Sequence, residues 1–266
     1  MDLLSSPPPT NLASPAPPLV IPAATVVVFR NAAPGASPEL LMVQRAKEMR
    51  FAGGAAVFPG GRIDPADREL AAELGETADH EHTAARIAGI RETLEETGLA
   101  IGIAQQPSAG KAAEARRLLL AEGALAPVLA AMGWQLTPDV LVPFARWCPM
   151  HTGSFDTRFY LADLGTGAVN IAVDATENTH LFWASAAEAL AMADRGDISV
   201  IFPTRRNLER LGQFASYAEA RAHAEAIQVR TISPTIIEKD GERWLTIPDD
   251  LGYPVTSQNL TSVMRG

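Results

Sequence analysis

Cysteine is almost missing from this chain: Cys148 stands alone among 266 residues. That excludes an internal disulfide and any cysteine-rich zinc site. Histidine is scarce and scattered, at positions 80, 82, 151, 180 and 223. His80 and His82 are close enough in sequence to share a metal, but their polar surroundings suit solvated side chains better. Positive charge is in deficit, with 22 Lys and Arg against 31 Asp and Glu and a formal net charge of −9. Such a balance argues against general affinity for nucleic acid or for an anionic membrane. No unbroken run of about 18 apolar residues occurs, so no membrane-spanning helix is expected. Residues 1–22 are rich in Pro, Ser and Ala and lack both a basic start and a continuous apolar stretch. They read as a disordered or extended lead-in rather than a signal peptide or anchor. The phosphate loops G-x-x-x-x-G-K-[ST] and G-x-G-x-x-G are absent, as are the G-x-S-x-G elbow and any repeat. A soluble, cytoplasmic protein is expected.

What is present is enough apolar material, 47% of residues, for a sizeable core. The β-branched run at residues 23–29 predicts a buried strand, residues 39–44 its neighbour, and residues 55–58 the end of a third. Residues 140–147 and 156–162 return to strand chemistry. Between Gly102 and Pro138, alanine- and leucine-rich segments predict two helices stopped at Gly123 and Gly133, an insertion (104–138) placed to close over a substrate. Further helices are expected at 184–193, with Ser185 and Glu188 forming a capping box, from Pro203 to Leu211, and at 216–226. Asp240-Gly241 marks a type I′ hairpin within 236–247. Residues 249–266 read as a loop-rich tail behind a domain spanning 23–248.

One stretch carries the chemistry. From Phe58 to Leu99 a Pro59-Gly60-Gly61 turn follows a strand, and a helix then bears Glu92, Glu95 and Glu96. These positions are i, i+3 and i+4, so the three carboxylates share one face, while Ile87, Ile90 and Leu94 form the opposite, core-facing stripe. Like charges at that spacing repel. A hard divalent cation, Mg²⁺ or Mn²⁺, is the natural compensator because both take oxygen ligands. Arg91 is placed to brace Glu95 at i, i+4, and Gly98 sits where a left-handed C-cap would end the helix. The plainer alternative is a surface helix with a solvated acidic face.

The Gly-Gly turn followed by RETLEETGL resembles the Nudix hydrolase signature, G-x5-E-x7-R-E-U-x-E-E-x-G-U, at Arg91, Glu92, Glu95, Glu96 and Gly98. Thr93 stands at an apolar position, and Asp67 falls where the pattern wants Glu. The spacer between Asp67 and Arg91, residues 68–90, is far longer than the pattern's, so no role is assigned to Asp67. A looser likeness over residues 23–215 points to the branch that includes coenzyme A diphosphatases, although the histidine usual before the glycine in that branch's loop is missing here.

The resemblance implies an α/β fold, a Nudix-type α/β/α sandwich with a mixed sheet and helical insertions. It implies an enzyme cleaving a nucleoside diphosphate-linked substrate, with coenzyme A or acyl-coenzyme A as the leading candidate and ADP-ribose or a nucleotide sugar as the alternative. A Nudix-fold module that senses a nucleotide without cleaving it is a third reading. Mg²⁺ or Mn²⁺ would be held by Glu92, Glu95 and Glu96 with a carbonyl of the Gly60-Gly61 turn. Catalysis would fall to Glu95, Glu92 and Arg91. Arg45 and Arg50 in a basic loop, with Arg146 and Arg158 on strands, are the expected substrate-binding cations. Glu177 is a candidate extra base or ligand. Arg205 and Arg206, in the first turn of a helix, are placed to face a bound anion. The expected partner is a small nucleotide-type molecule, not nucleic acid or membrane, and a homodimer is the assembly to allow for.

Overall fold

A computed structural model describes residues 19–31, 35–47, 52–75, 79–149, 151–164 and 178–263. In chain order, β1 (Ile21–Arg30) and β2 (Glu39–Arg45) lead into two short strands, β3 (Ala56–Val57) and β4 (Gly60–Arg62). Four helices follow, α1 (Pro65–Glu73), α2 (His80–Thr97), α3 (Ala109–Glu122) and α4 (Leu125–Met132). The chain then forms β5 (Val142–Trp147), β6 (Phe155–Asp163) and β7 (Asn178–Ser185), and the helices α5 (Ala186–Arg195), α6 (Phe202–Leu211) and α7 (Tyr217–Ala226). Last come β8 (Thr231–Ile232), β9 (Thr235–Lys239), β10 (Glu242–Thr246), β11 (Ser257–Asn259) and α8 (Leu260–Val263).

The main sheet is mixed and runs β3-β2-β1-β6-β5-β8, with β4 on β1 and β7 on β2. β1 pairs parallel to β6 and antiparallel to β2 and β4. The alternation of β1 separates two cores, since successive side chains leave a strand on opposite faces. Ala24, Val26 and Val28 pack with α1–α4, whereas Val27 and Phe29 pack with α5, α6 and α7. This is the expected α/β/α sandwich. β9, β10 and β11 form a separate three-stranded sheet, its hairpin turning at Asp240 and Gly241, both with positive φ.

α2 holds the architecture in place. Ile87, Ile90 and Leu94 are buried to 1% exposure or less, each side chain worth roughly 1.5–3 kcal/mol of burial. Gly89 lets the helix lie close on β1: a Cβ there would come 2.8 Å from Val26 Cγ2. The helix ends at Gly98, whose φ of 76° is left-handed and whose N–H bonds Leu94 O. The two insertion helices end as the sequence indicates, at Gly123 and Gly133. Ala115, Leu119, Leu125 and Val128 belong to the same apolar cluster as the core face of α2, so burial has drawn the insertion onto that layer. The segment after residue 248 is also tied in. Leu251 and Tyr253 are buried, and Tyr253 Oη donates to Asn207 Oδ1 at 2.8 Å while accepting from Trp147 Nε1 at 3.2 Å.

Candidate metal and active site

The Gly60-Gly61 turn and the last two turns of α2 build the site together. β4 sits on the first half of β1, with Thr25 opposite Gly60 and Ala24 opposite Gly61. At Gly60 φ is 156°, and a Cβ would lie 2.3 Å from Ala24 O, so no side chain fits. At Gly61 a Cβ would meet Glu92 Oε1 at 2.2 Å. The Glu92 carboxylate therefore rests directly against the turn's backbone. Glu96 reaches the same turn, its Oε2 accepting from Gly60 N at 2.9 Å.

Arg91 gathers the acidic groups around it. Its Nε and Nη2 bind the two oxygens of Asp67, both at 3.0 Å. Nη1 donates to Glu92 Oε1 at 2.9 Å and lies 3.5 Å from Glu95 Oε2, and Nη2 also donates to Arg62 O at 2.9 Å. Burial by itself would lower the pKa of Arg91, but Asp67, Glu92 and Asp64 outweigh it and the net shift is upward. The guanidinium is thus permanently charged and fixed. The brace to Glu95 is real but longer than the bond to Asp67, a residue the sequence left without a role. α1 supplies the reason. It opens on Asp64 and Pro65 with the Asp67 carboxylate accepting from Asp64 N at 2.9 Å, and so swings Asp67 back onto Arg91 despite a separation of 24 residues.

A second residue unread in the sequence is Arg116 of α3. Its Nε donates to Glu95 O at 2.8 Å and its Nη2 to Glu96 O at 3.4 Å. These are carbonyls of the last turn of α2, where unsatisfied acceptors and the helix dipole both favour a cation.

The carboxylates differ in setting. The Glu92 side chain is 17% exposed and that of Glu95 35%, while Glu96 as a residue is 4% exposed. Burial pushes the Glu92 carboxyl up to about 7 against the pull of Arg91, with Glu95 adding to the rise. Among the described residues no three carboxylate, imidazole or thiol groups converge as they stand into a metal-holding cluster. Glu92 is turned to Arg91 and Glu96 to Gly60 N. The donor chemistry nevertheless fits a hard cation, with oxygens from successive helical turns beside a turn whose backbone can approach closely.

The expected substrate cations do not form one group. Arg45 ends β2, and its Nε is buried with no hydrogen-bond partner among the described residues. Arg50 and Glu177 lie outside the described residues. Arg146 and Arg158 sit opposite each other on β5 and β6. Arg146 is clamped by Asp156, at 2.8 and 2.6 Å, and with Arg158 lines a cavity of mixed polar and apolar character. Arg205 and Arg206 are not free to face an anion. Arg205 binds Asp194 at 2.6 Å, and Arg206 binds Glu209 at 2.8 Å and Gln258 at 3.1 Å. The acids that neutralise these arginines come from α5 and from α6 itself, and the amide that accepts from Arg206 comes from β11.

No family model and no curated protein matches the sequence. Among solved structures, the NUDIX hydrolase from Alicyclobacillus acidocaldarius is similar at 28% identity, covering 78% of this chain and 97% of that one with a TM-score of 0.64. The MutT protein from Methanosarcina mazei Go1 is more distant, at 16% identity over 74% of this chain and 95% of that one, TM-score 0.39. So is the NUDIX domain of Shewanella oneidensis NrtR, solved with ADP ribose, at 14% identity over 71% and 84%, TM-score 0.39. The mixed-sheet fold, the residues at the Gly-Gly turn and on α2, and the likeness to the Alicyclobacillus enzyme together support the Nudix hydrolase family for this chain.

Proposed function

We propose that the protein is a divalent-cation-dependent hydrolase of nucleoside diphosphate-linked substrates, with coenzyme A or acyl-coenzyme A leading and ADP-ribose or a nucleotide sugar next. The observation that carries this reading is the placing of Glu92, Glu95 and Glu96 along one face of α2, with Glu92 and Glu96 against the Gly60-Gly61 turn. A pure nucleotide sensor has no need of all three.

Mg²⁺ or Mn²⁺ would be held by Glu92, Glu95 and Glu96 with a carbonyl of the Gly60-Gly61 turn, and would supply charge neutralisation on a diphosphate and a more acidic water. The chain's own residues do the rest. Arg91, locked by Asp67, fixes the position of Glu92 and limits where Glu95 can swing. Arg116 fixes the helix end from which Glu95 and Glu96 project. Glu95, the most open of the three side chains, and Glu92 are the candidates to take a proton from the attacking water, whichever is less engaged by the cation.

Coenzyme A leads because it adds a phosphomonoester to its diphosphate, which suits the basic segment beginning at Arg45 and Lys47 in an otherwise acidic protein. The test is a turnover screen over coenzyme A, ADP-ribose, NADH and nucleotide sugars with Mg²⁺ or Mn²⁺, and with EDTA. Cleavage of at least one diphosphate that EDTA abolishes is expected. Turnover indifferent to EDTA, or none on any of them, removes the reading, and a preference for ADP-ribose over coenzyme A moves the substrate to the alternative.

A further inference from the structure

Arg158 has no role in that chemistry, and its surroundings ask for one. It is 8% exposed, yet its Nε and Nη1 are buried with no hydrogen-bond partner among the described residues. A buried guanidinium left this way is costly, and native structures tolerate few such groups without a reason. Its neighbours do not supply the missing acceptor. Asp156 is taken by Arg146 in a two-pronged bond, and Glu81 by Arg68 at 2.8 Å.

The space beside Arg158 is a cavity of about 280 Å³, walled by Arg146, Arg230, His82, Tyr160 and Thr231 among others. The rim residue Arg230 pairs with Asp250, and both are at least half exposed. Tyr160 Oη is 3.3 Å from His82 Nδ1, and burial raises the phenol's pKa, so it stays protonated as a donor. The wall thus carries several N–H and O–H donors. Asp156 and Glu81 are bound to arginines, and the other nearby carboxylate, Asp79, has a side chain 64% exposed and lies 3.9 Å from His82 Nε2.

This cavity is separate from the carboxylate site. Gly61 and Arg158 both pair with Ala24, from opposite edges of β1, which sets their backbones about 10 Å apart. α2 lies between them, with Gly89 seated on β1. Along that helix His82 and Glu92 are ten residues apart, about 15 Å of rise. The helix is a wall with carboxylates on one side and arginines on the other.

The geometry points to a second ligand site at the N-terminal end of α2, in which Arg158 binds the phosphate of a small phosphomonoester. Guanidinium nitrogens match phosphate oxygens in a two-pronged geometry, and the cavity size suits a phosphate with a small attached group. The site goes beyond the hydrolase reading and does not depend on it.

The deciding measurement uses the full chain in EDTA, above the pH of about 7 at which Glu92 ionises, so that the glutamate cluster is negative and disfavours phosphate. Inorganic phosphate is titrated at constant ionic strength while the ring resonances of His82 are followed by NMR. Saturable shifts are expected in the wild type and in Glu95→Gln. Arg158→Met should weaken binding roughly tenfold or more, and Arg230→Gln, at an exposed position that leaves the fold intact, by about threefold. Shifts that never saturate, or saturate equally in both arginine variants, overturn the proposal. If Arg158→Met does not fold, an unchanged affinity in Arg230→Gln and Arg158→Lys is the overturning result. Steady-state kinetics with ribose 5-phosphate then identify the source of the phosphate. Competition with the cleaved substrate, together with a raised KM in Arg158→Met, assigns the site to the substrate's far end. Binding without competition assigns it to a free phosphomonoester.

Discussion

Arg91 and Arg158 are buried to nearly the same degree, at 4% and 8% exposure, on the two sides of one helix. Arg91 is saturated, with Asp67 on two nitrogens, Glu92 on the third and a backbone carbonyl besides. Arg158 leaves two nitrogens without an acceptor among the described residues. Burial alone therefore does not tell what an arginine is for. Arg91 is part of the frame, whereas Arg158, with two nitrogens unpartnered among the described residues, is kept at a cost to stability.

The contrast can be broken at its strongest point first. Glu95→Gln and Glu96→Gln should each lower kcat by about 10²–10⁴-fold, the range for losing a positioned acid–base or metal-holding group. Their folded stability should stay equal or rise slightly as repulsion on α2 is relieved. Activity assays at saturating Mg²⁺ and denaturant melts decide, and near-normal turnover in either variant would sink the metal assignment.

Asp67→Ala should cost about 3–5 kcal/mol of stability, because it leaves Arg91 buried and charged with its main partner gone. Urea unfolding reads this directly. A loss under 1 kcal/mol would mean that Glu92 and Asp64 suffice to hold Arg91. By the same logic Arg158→Met should leave stability unchanged or raise it by about 1 kcal/mol, since removal of an unsatisfied buried group relieves a penalty. A large loss there would erase the difference between the two arginines.

A smaller effect concerns pH. Burial lowers the His82 pKa below 6.5, Arg158, Arg86 and Arg146 adding to this and Asp79 opposing it. Below pH 6.5 the unfolded chain thus takes up a proton that the fold resists, so stability present above that pH is lost as pH falls. His223 is lowered in the same direction. His82→Asn should flatten part of the slope between about pH 5 and 7. The remainder is the His223 contribution set against that of Glu92, whose raised pKa makes stability fall as pH rises through the same window. An unchanged slope would place His82 outside the arginine field.

Much of this was legible in the sequence because it is local. The i, i+3, i+4 carboxylates, the glycine that ends α2, the capping box at Ser185 and the hairpin at Asp240-Gly241 all depend on neighbours within a few positions. What escaped depends on distant partners. Asp67 meets Arg91 only because α1 folds the chain back on itself. Arg116 hides in an alanine-leucine stripe whose packing, not whose composition, points it at α2. Arg205 and Arg206 looked free because Asp194 and Gln258 arrive from other elements. Arg158 was visible as a strand arginine, but the lack of an acceptor is a property of three dimensions.

Gly89 has a consequence for anyone who wishes to stabilise this protein. A glycine inside a helix is the usual first choice for replacement by alanine, with a gain of about 1 kcal/mol from propensity. Here a methyl group would press on Val26 at 2.8 Å and lift α2 off β1. The helix would gain and the enzyme would lose, because the separation between the glutamates and the Gly60-Gly61 backbone is set by how low that helix rides. Thermostability and turnover are coupled through one missing methyl group.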